Sequence, residues 1–105
     1  MAVLTLDESR FSEILRGDKP AVVEFWAPWC SHCVELASAF DDIAAQYGEQ
    51  LTFGKVNIDD CPALSEKYFI EFVPTLVIFA EEELIDFVIS PGSREAIAQF
   101  IEEVL

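Results

Sequence analysis

The apolar run Ala21 to Ala27, interrupted only by Glu24, restricts the fold more than any other stretch of the 105 residues. Such a run is the pattern of a parallel strand buried on both faces, which places it near the centre of a sheet. It ends just before Cys30-Ser31-His32-Cys33, where a helical pattern begins. Strand, paired cysteines and helix therefore follow one another within a few residues.

Around this junction the chain alternates strand and helix. Val3 to Leu6 is a strand candidate, and Asp7 offers an N-cap for a helix that Gly17 ends, with Phe11, Ile14 and Leu15 at helical spacing. From Ser31 to Tyr47 the residues Leu36, Ala37, Phe40, Ile43, Ala44 and Tyr47 share one side, and Gly48 supplies the stop. Leu51 to Ile58 reads as a further strand, and Asp59-Asp60-Cys61-Pro62 as a cap with proline in the first turn of a helix reaching Tyr68. Thr75 to Ala80 is another doubly buried strand. Glu81-Glu82-Glu83 forms an exposed link, and Leu84 to Ser90 folds back as an antiparallel hairpin. Ser93 caps a last helix carrying Ile97, Phe100, Ile101 and Val104 as a stripe. The expectation is a single α/β domain over residues 1–105, with a central mixed sheet and helices on both faces.

Three cysteines are too few for a disulfide-stapled scaffold, and their odd number leaves at least one thiol free. At i and i+3 in a helix's first turn, Cys30 and Cys33 bring their Cβ atoms to about 5–6 Å, which small adjustments close to disulfide range. The two sulfurs are inequivalent. Cys30 lies at the helix N-terminus, where unpaired N–H groups and the positive end of the dipole favour a thiolate, while Cys33 lies one turn in and deeper. Cys30 is thus the expected nucleophile and Cys33 the resolving thiol, with the His32 imidazole placed to stabilise the thiolate further. Half of a zinc site is the competing reading, but zinc needs about four ligands, and besides the pair only Cys61 and His32 are at hand. No metal is expected, and no cofactor beyond a Cys30–Cys33 disulfide. Cys61 reads as a plain, partly buried thiol.

Glu24 is a carboxylate inside an apolar strand, and it needs a partner or a proton. Burial would raise its pKa and suit it to move a proton to and from Cys33. Alternatively it faces solvent or pairs with a lysine, for which Lys55 is the candidate.

Six basic against twenty acidic residues give a net charge of -14, which argues against nucleic acid or an anionic membrane as partner. The hydrophobic fraction of 52% comes without an 18-residue apolar stretch, so no membrane span is expected. Met1 to Asp7 lacks the basic segment, apolar core and cleavage site of a secretory leader, and the expected location is the cytoplasm.

The stretch Glu24-Phe25-Trp26-Ala27-Pro28-Trp29-Cys30-Ser31-His32-Cys33, then Lys55-Val56-Asn57-Ile58-Asp59 and Val73-Pro74-Thr75, resembles the thioredoxin family across essentially the whole chain. The resemblance implies the thioredoxin fold, thiol-disulfide exchange with protein substrates, a reductase-type electron donor and a monomer. It also implies a cis Pro74 opposite Cys30 and a substrate groove rimmed by Trp29, Phe72 and Val73, with Ser90 where a groove-lining glycine is usual. Ser31-His32 replaces the usual Gly-Pro and is closer to the Gly-His of disulfide isomerases. Phe69 and Phe72 stand where glycines are typical, either displayed on the groove or filling core.

The reaction implied is reduction of protein disulfides. A more oxidising activity is the alternative within the enzyme class, with a potential above about -270 mV and toward about -180 mV through His32. Outside that class, the alternative is a redox-silent binding module using an acidic, aromatic-rimmed face.

Overall fold

Strand and helix alternate along residues 3–105, which the computed structural model describes. In order they are β1 (Val3–Thr5), α1 (Glu8–Leu15), β2 (Ala21–Trp26), α2 (Ser31–Tyr47), β3 (Thr52–Asn57), α3 (Pro62–Lys67), β4 (Thr75–Ala80), β5 (Glu83–Ile89) and α4 (Arg94–Glu102). The first two residues of the stretch read for a leader, Met1 and Ala2, lie outside the described residues.

The sheet order is β1-β3-β2-β4-β5, so the apolar run forms the middle strand of five. β3 runs parallel to both β1 and β2, while β4 is antiparallel to β2 and β5 antiparallel to β4. Strand alternation sends successive side chains to opposite faces, and β2 feeds two cores. Val22 joins Leu36, Phe40 and Ile43 of α2 and Ile97 and Ile101 of α4. Ala21, Val23 and Phe25 join Phe11 of α1 and Leu64 of α3 on the other face. By the same alternation Glu24 falls on the Val22 side, beneath α2. That placement follows from one residue of register.

Helix starts follow the capping chemistry in the sequence. Asp7 accepts the Arg10 N–H at 2.8 Å and Ser93 the Ala96 N–H at 3.1 Å. At α3, Pro62 stands in the first turn and Cys61 is the N-cap, which makes no side-chain capping bond. Its thiol is buried and directed at the Leu6 carbonyl instead, 3.9 Å away. Gly48 follows the last residue of α2, yet its φ of -64° is ordinary helical backbone. The hairpin link is two residues rather than three: Glu81 and Glu82 have φ of 54° and 68°, the left-handed pair that a tight turn of this twist demands, and Glu83 begins β5. A register shift between Ile78 and Phe79 leaves one extra β5 residue, Ile85, between the pairs Phe79–Leu84 and Ile78–Asp86.

Candidate active site

The central strand delivers the chain to the sheet edge at Trp26, and the turn that follows places Cys30 as the N-cap of α2. Its extended backbone (φ -91°, ψ 109°) aims the sulfur back over the first helical turn. There Sγ accepts the Cys33 backbone N–H at 3.2 Å. An orphan donor of the helix start is thus spent on sulfur. Across the groove the Val73 carbonyl lies 3.6 Å from the same sulfur and accepts from its S–H. Val73 and Pro74, just before β4, are joined by a cis peptide bond.

Cys33 is 3% exposed. Burial, then its hydrogen bond with Cys30, push its thiol up to about 12, so it keeps its proton at neutral pH. All three cysteines are free thiols, and the pair is in its dithiol form. Beneath lies Glu24, also 3% exposed, with Oε2 lacking any hydrogen-bond partner. Burial raises its carboxyl to about 7, with Lys55 and His32 pulling down and Asp41 pushing up. Its charge in turn holds the Cys33 proton more tightly. Solvent exposure of Glu24 is thereby ruled out. Pairing with Lys55 needs correction: the two are opposite in register, but the Lys55 ammonium lies over the Trp26 ring, 5.1 Å from its centroid. Trp26 lies on the same face as Glu24 one rung along, and its π-face takes the cation.

His32 turns away from the sulfurs in its hydrogen bonding. Its Nε2 donates to the Pro91 carbonyl at 3.0 Å, and Nδ1 lies 3.6 Å from a Glu35 carboxylate oxygen. A carbonyl only accepts, so Nε2 carries the hydrogen. The ring therefore ties the start of α2 to the loop after β5.

Trp29, Cys30, His32, Phe72 and Val73 surround an open groove of about 480 Å³, as the sequence predicts, together with Ser31, Ile58, Ile70 and Glu71. Trp29 is 67% exposed, and its indole N–H donates to Asp59 at 3.1 Å. Ser90 is not part of the groove wall. Its backbone N–H donates to the Pro74 carbonyl at 2.7 Å, and its φ of 50° is the left-handed conformation glycine would supply freely. Phe69 and Phe72 are displayed rather than packed, at 86% and 62% exposure, and Phe69 holds a φ of 57°. Sequence reasoning missed Ile58 and Ile70 as groove residues. Both are ordinary apolar side chains, and the available signal was that Ile58 follows β3 at the end of the sheet that carries Cys30. Among the described residues no three His, Cys, Asp or Glu side chains gather to hold a metal, and no helix is long and apolar enough to cross a membrane.

Comparison with known proteins agrees with this geometry. The Thioredoxin family model matches residues 2–103. "Thioredoxin 1" of Synechococcus elongatus is 34% identical over 105 residues, covering 100% of this chain and 98% of that protein. "Thioredoxin 1" of Nostoc sp. is 36% identical over 104 residues, 99% of this chain and 97% of its own length. "Thioredoxin M-type, chloroplastic" of Brassica napus is 36% identical over 99 residues, 94% of this chain and 56% of that protein. With a mixed sheet flanked by helices, a dithiol at the start of α2 and a full-length match, the chain belongs to the thioredoxin family and is a thiol-disulfide oxidoreductase.

Proposed function

We propose that this protein reduces disulfides in protein substrates, working as a single-domain monomer. The observation that carries the reading is the contrast between the two sulfurs: Cys30 sits at the groove and accepts a helix-start N–H, while Cys33 stays buried and protonated. The Cys30 thiolate attacks one substrate sulfur, forming a mixed disulfide and releasing the other substrate sulfur as a thiolate that takes up a proton. Glu24 then accepts the Cys33 proton. The Cys33 sulfur attacks Cys30, closing the Cys30–Cys33 disulfide and releasing the second substrate sulfur as a thiolate that takes the proton from Glu24. The substrate gains two electrons and two protons, and an external dithiol donor of the reductase type restores Cys30 and Cys33.

Trp29, Phe72 and Val73 hold the substrate segment, and Pro74, which has no N–H, leaves the strand end open to substrate backbone. Ser90 supports Pro74 from behind through its N–H. Lys55 opposes the rise in the Glu24 pKa, which keeps that carboxyl near neutrality, where a proton carrier works best. The reducing direction is supported by His32, whose ring nitrogens engage Pro91 and Glu35 and give the Cys30 sulfur no hydrogen bond. The reading places the potential near the thioredoxin value of about -270 mV, because His32 adds no stabilisation of the thiolate that would make the couple more oxidising. A reducing compartment such as the cytoplasm suits a chain whose third cysteine, Cys61, is also a free thiol.

The decisive experiment is turnover of insulin disulfides with dithiothreitol as recycling reductant. Wild type is expected to turn over and Cys30→Ser to be inert. Cys33→Ser is expected to accumulate a mixed disulfide detectable by mass spectrometry. A silent wild type would leave only the binding-module reading. Equilibration with glutathione measures the potential, and a value near about -180 mV would reverse the proposed direction.

A further inference from the structure

A second groove of about 290 Å³ lies between the segment Tyr68–Phe72 and the outer strand β5. Its walls include Phe69, Phe72, Leu84, Phe87 and Ile89, all more than one third exposed, and Phe87 is 55% exposed. A contiguous apolar surface of this kind on a small protein marks a place where something binds. The β5 register explains why it exists. Leu84 pairs with Phe79, Phe87 with Val77 and Ile89 with Thr75, so the extra residue at Ile85 keeps all three β5 side chains on the Val77 face. Among the described residues nothing buries these three side chains, which stay 39–55% exposed.

The groove is continuous with the redox site, because Ile70, Glu71 and Phe72 line both. Its wall carries one acid, Glu71, and no basic residue, on a chain of net charge -14. We infer that this groove is a specificity site for the disulfide substrate, taking a bulky apolar side chain from a Lys- or Arg-flanked segment a few residues from the cysteine held at Cys30.

Two alternatives fare worse on the same observations. A second copy of this chain would bring together two molecules of net charge -14, and like charges across an interface are costly. Strand addition along β5 meets Asp86, whose carboxylate accepts the Phe87 N–H at 2.8 Å and so occupies an outward donor an added strand would use. Side-chain insertion by a basic partner remains. Its attraction to Glu71 and to a chain of net charge -14 speeds encounter.

The inference rests on the disulfide-reductase reading, so binding and turnover are measured separately. Binding is followed by fluorescence anisotropy with labelled peptides in which serine replaces the cysteine. One carries a Phe-Leu pair flanked by lysines, a second has glutamates for the lysines, and a third has Ala-Ala for Phe-Leu. The first is expected to bind about tenfold more tightly than either of the others. Phe87→Ser and Leu84→Ser are each expected to weaken it about fivefold, the scale of one lost apolar contact. Both side chains are substantially exposed, and circular dichroism verifies that the variants fold. Turnover is followed with the same peptides carrying cysteine as a mixed disulfide, alongside a small disulfide with no peptide. The variants are expected to lower kcat/KM for the basic peptide and to leave the small disulfide unchanged. Equal affinity for the three peptides, no effect of Phe87→Ser, or a dimer in sedimentation that Phe87→Ser dissociates would each overturn the inference. Intact peptide binding with no turnover of any disulfide would overturn the reductase reading and, with it, the assignment of the occupant as substrate.

Discussion

Glu24 is buried, and its Oε2 has no hydrogen-bond partner. Its carboxyl rises from an ordinary 4.5 to about 7 through burial, so the folded protein holds a proton that the unfolded chain has released. Stability therefore falls as pH rises through that window, by about 3 kcal/mol for this group alone. Glu24→Gln removes the effect. Its stability relative to wild type, measured by urea unfolding, is expected to grow by about that amount between pH 4.5 and pH 8, and a pH-independent difference would contradict the shift. The variant is also expected to slow resolution of the mixed disulfide by about 100-fold or more while sparing its formation. Glu24 was legible in the sequence because a charge inside an apolar strand has few explanations. The Lys55 geometry was not, because register places Lys55 opposite Glu24 while the neighbouring Trp26 ring decides where the ammonium goes. The exposure of Phe69 and Phe72 was equally hidden, since an aromatic side chain reads the same in a core or on a groove.

At the level of elements, strands and helices lie within one or two residues of their expected bounds wherever periodicity and caps agree, as at β4 and at the starts of α1 and α4. The β4–β5 turn was misread because glutamate carries none of the sequence signal of a left-handed turn, which asparagine and glycine normally provide. Its conformation has a cost. Left-handed backbone costs a residue with a side chain about 1–2 kcal/mol, and glycine gives back about 0.5–1 kcal/mol through unfolded-chain entropy. Glu82→Gly is therefore expected to stabilise the protein by up to about 1 kcal/mol, raising Tm by about 4–8 °C. Calorimetry checks this, and an unchanged or lower Tm would show that Glu82 makes a compensating interaction. The same reasoning applies at Phe69 and Ser90, which hold φ of 57° and 50° beside the redox site.

For the whole molecule, a net charge of -14 on 105 residues sets up repulsion that opposes the compact state. Screening should relieve it: raising salt from about 0.01 M to about 1 M shortens the Debye length from about 30 Å to about 3 Å. Tm is expected to climb over that range, and a flat profile would mean the acids are already well dispersed. The buried pair of Glu24 and Cys33 has a consequence for timing. Under the proposed proton transfer from Cys33 to Glu24, the mixed disulfide is a clocked intermediate whose clock slows once Glu24 is itself protonated. Below about pH 7 the partner stays tethered longer, so acidity prolongs dwell on a substrate without altering which substrate was chosen.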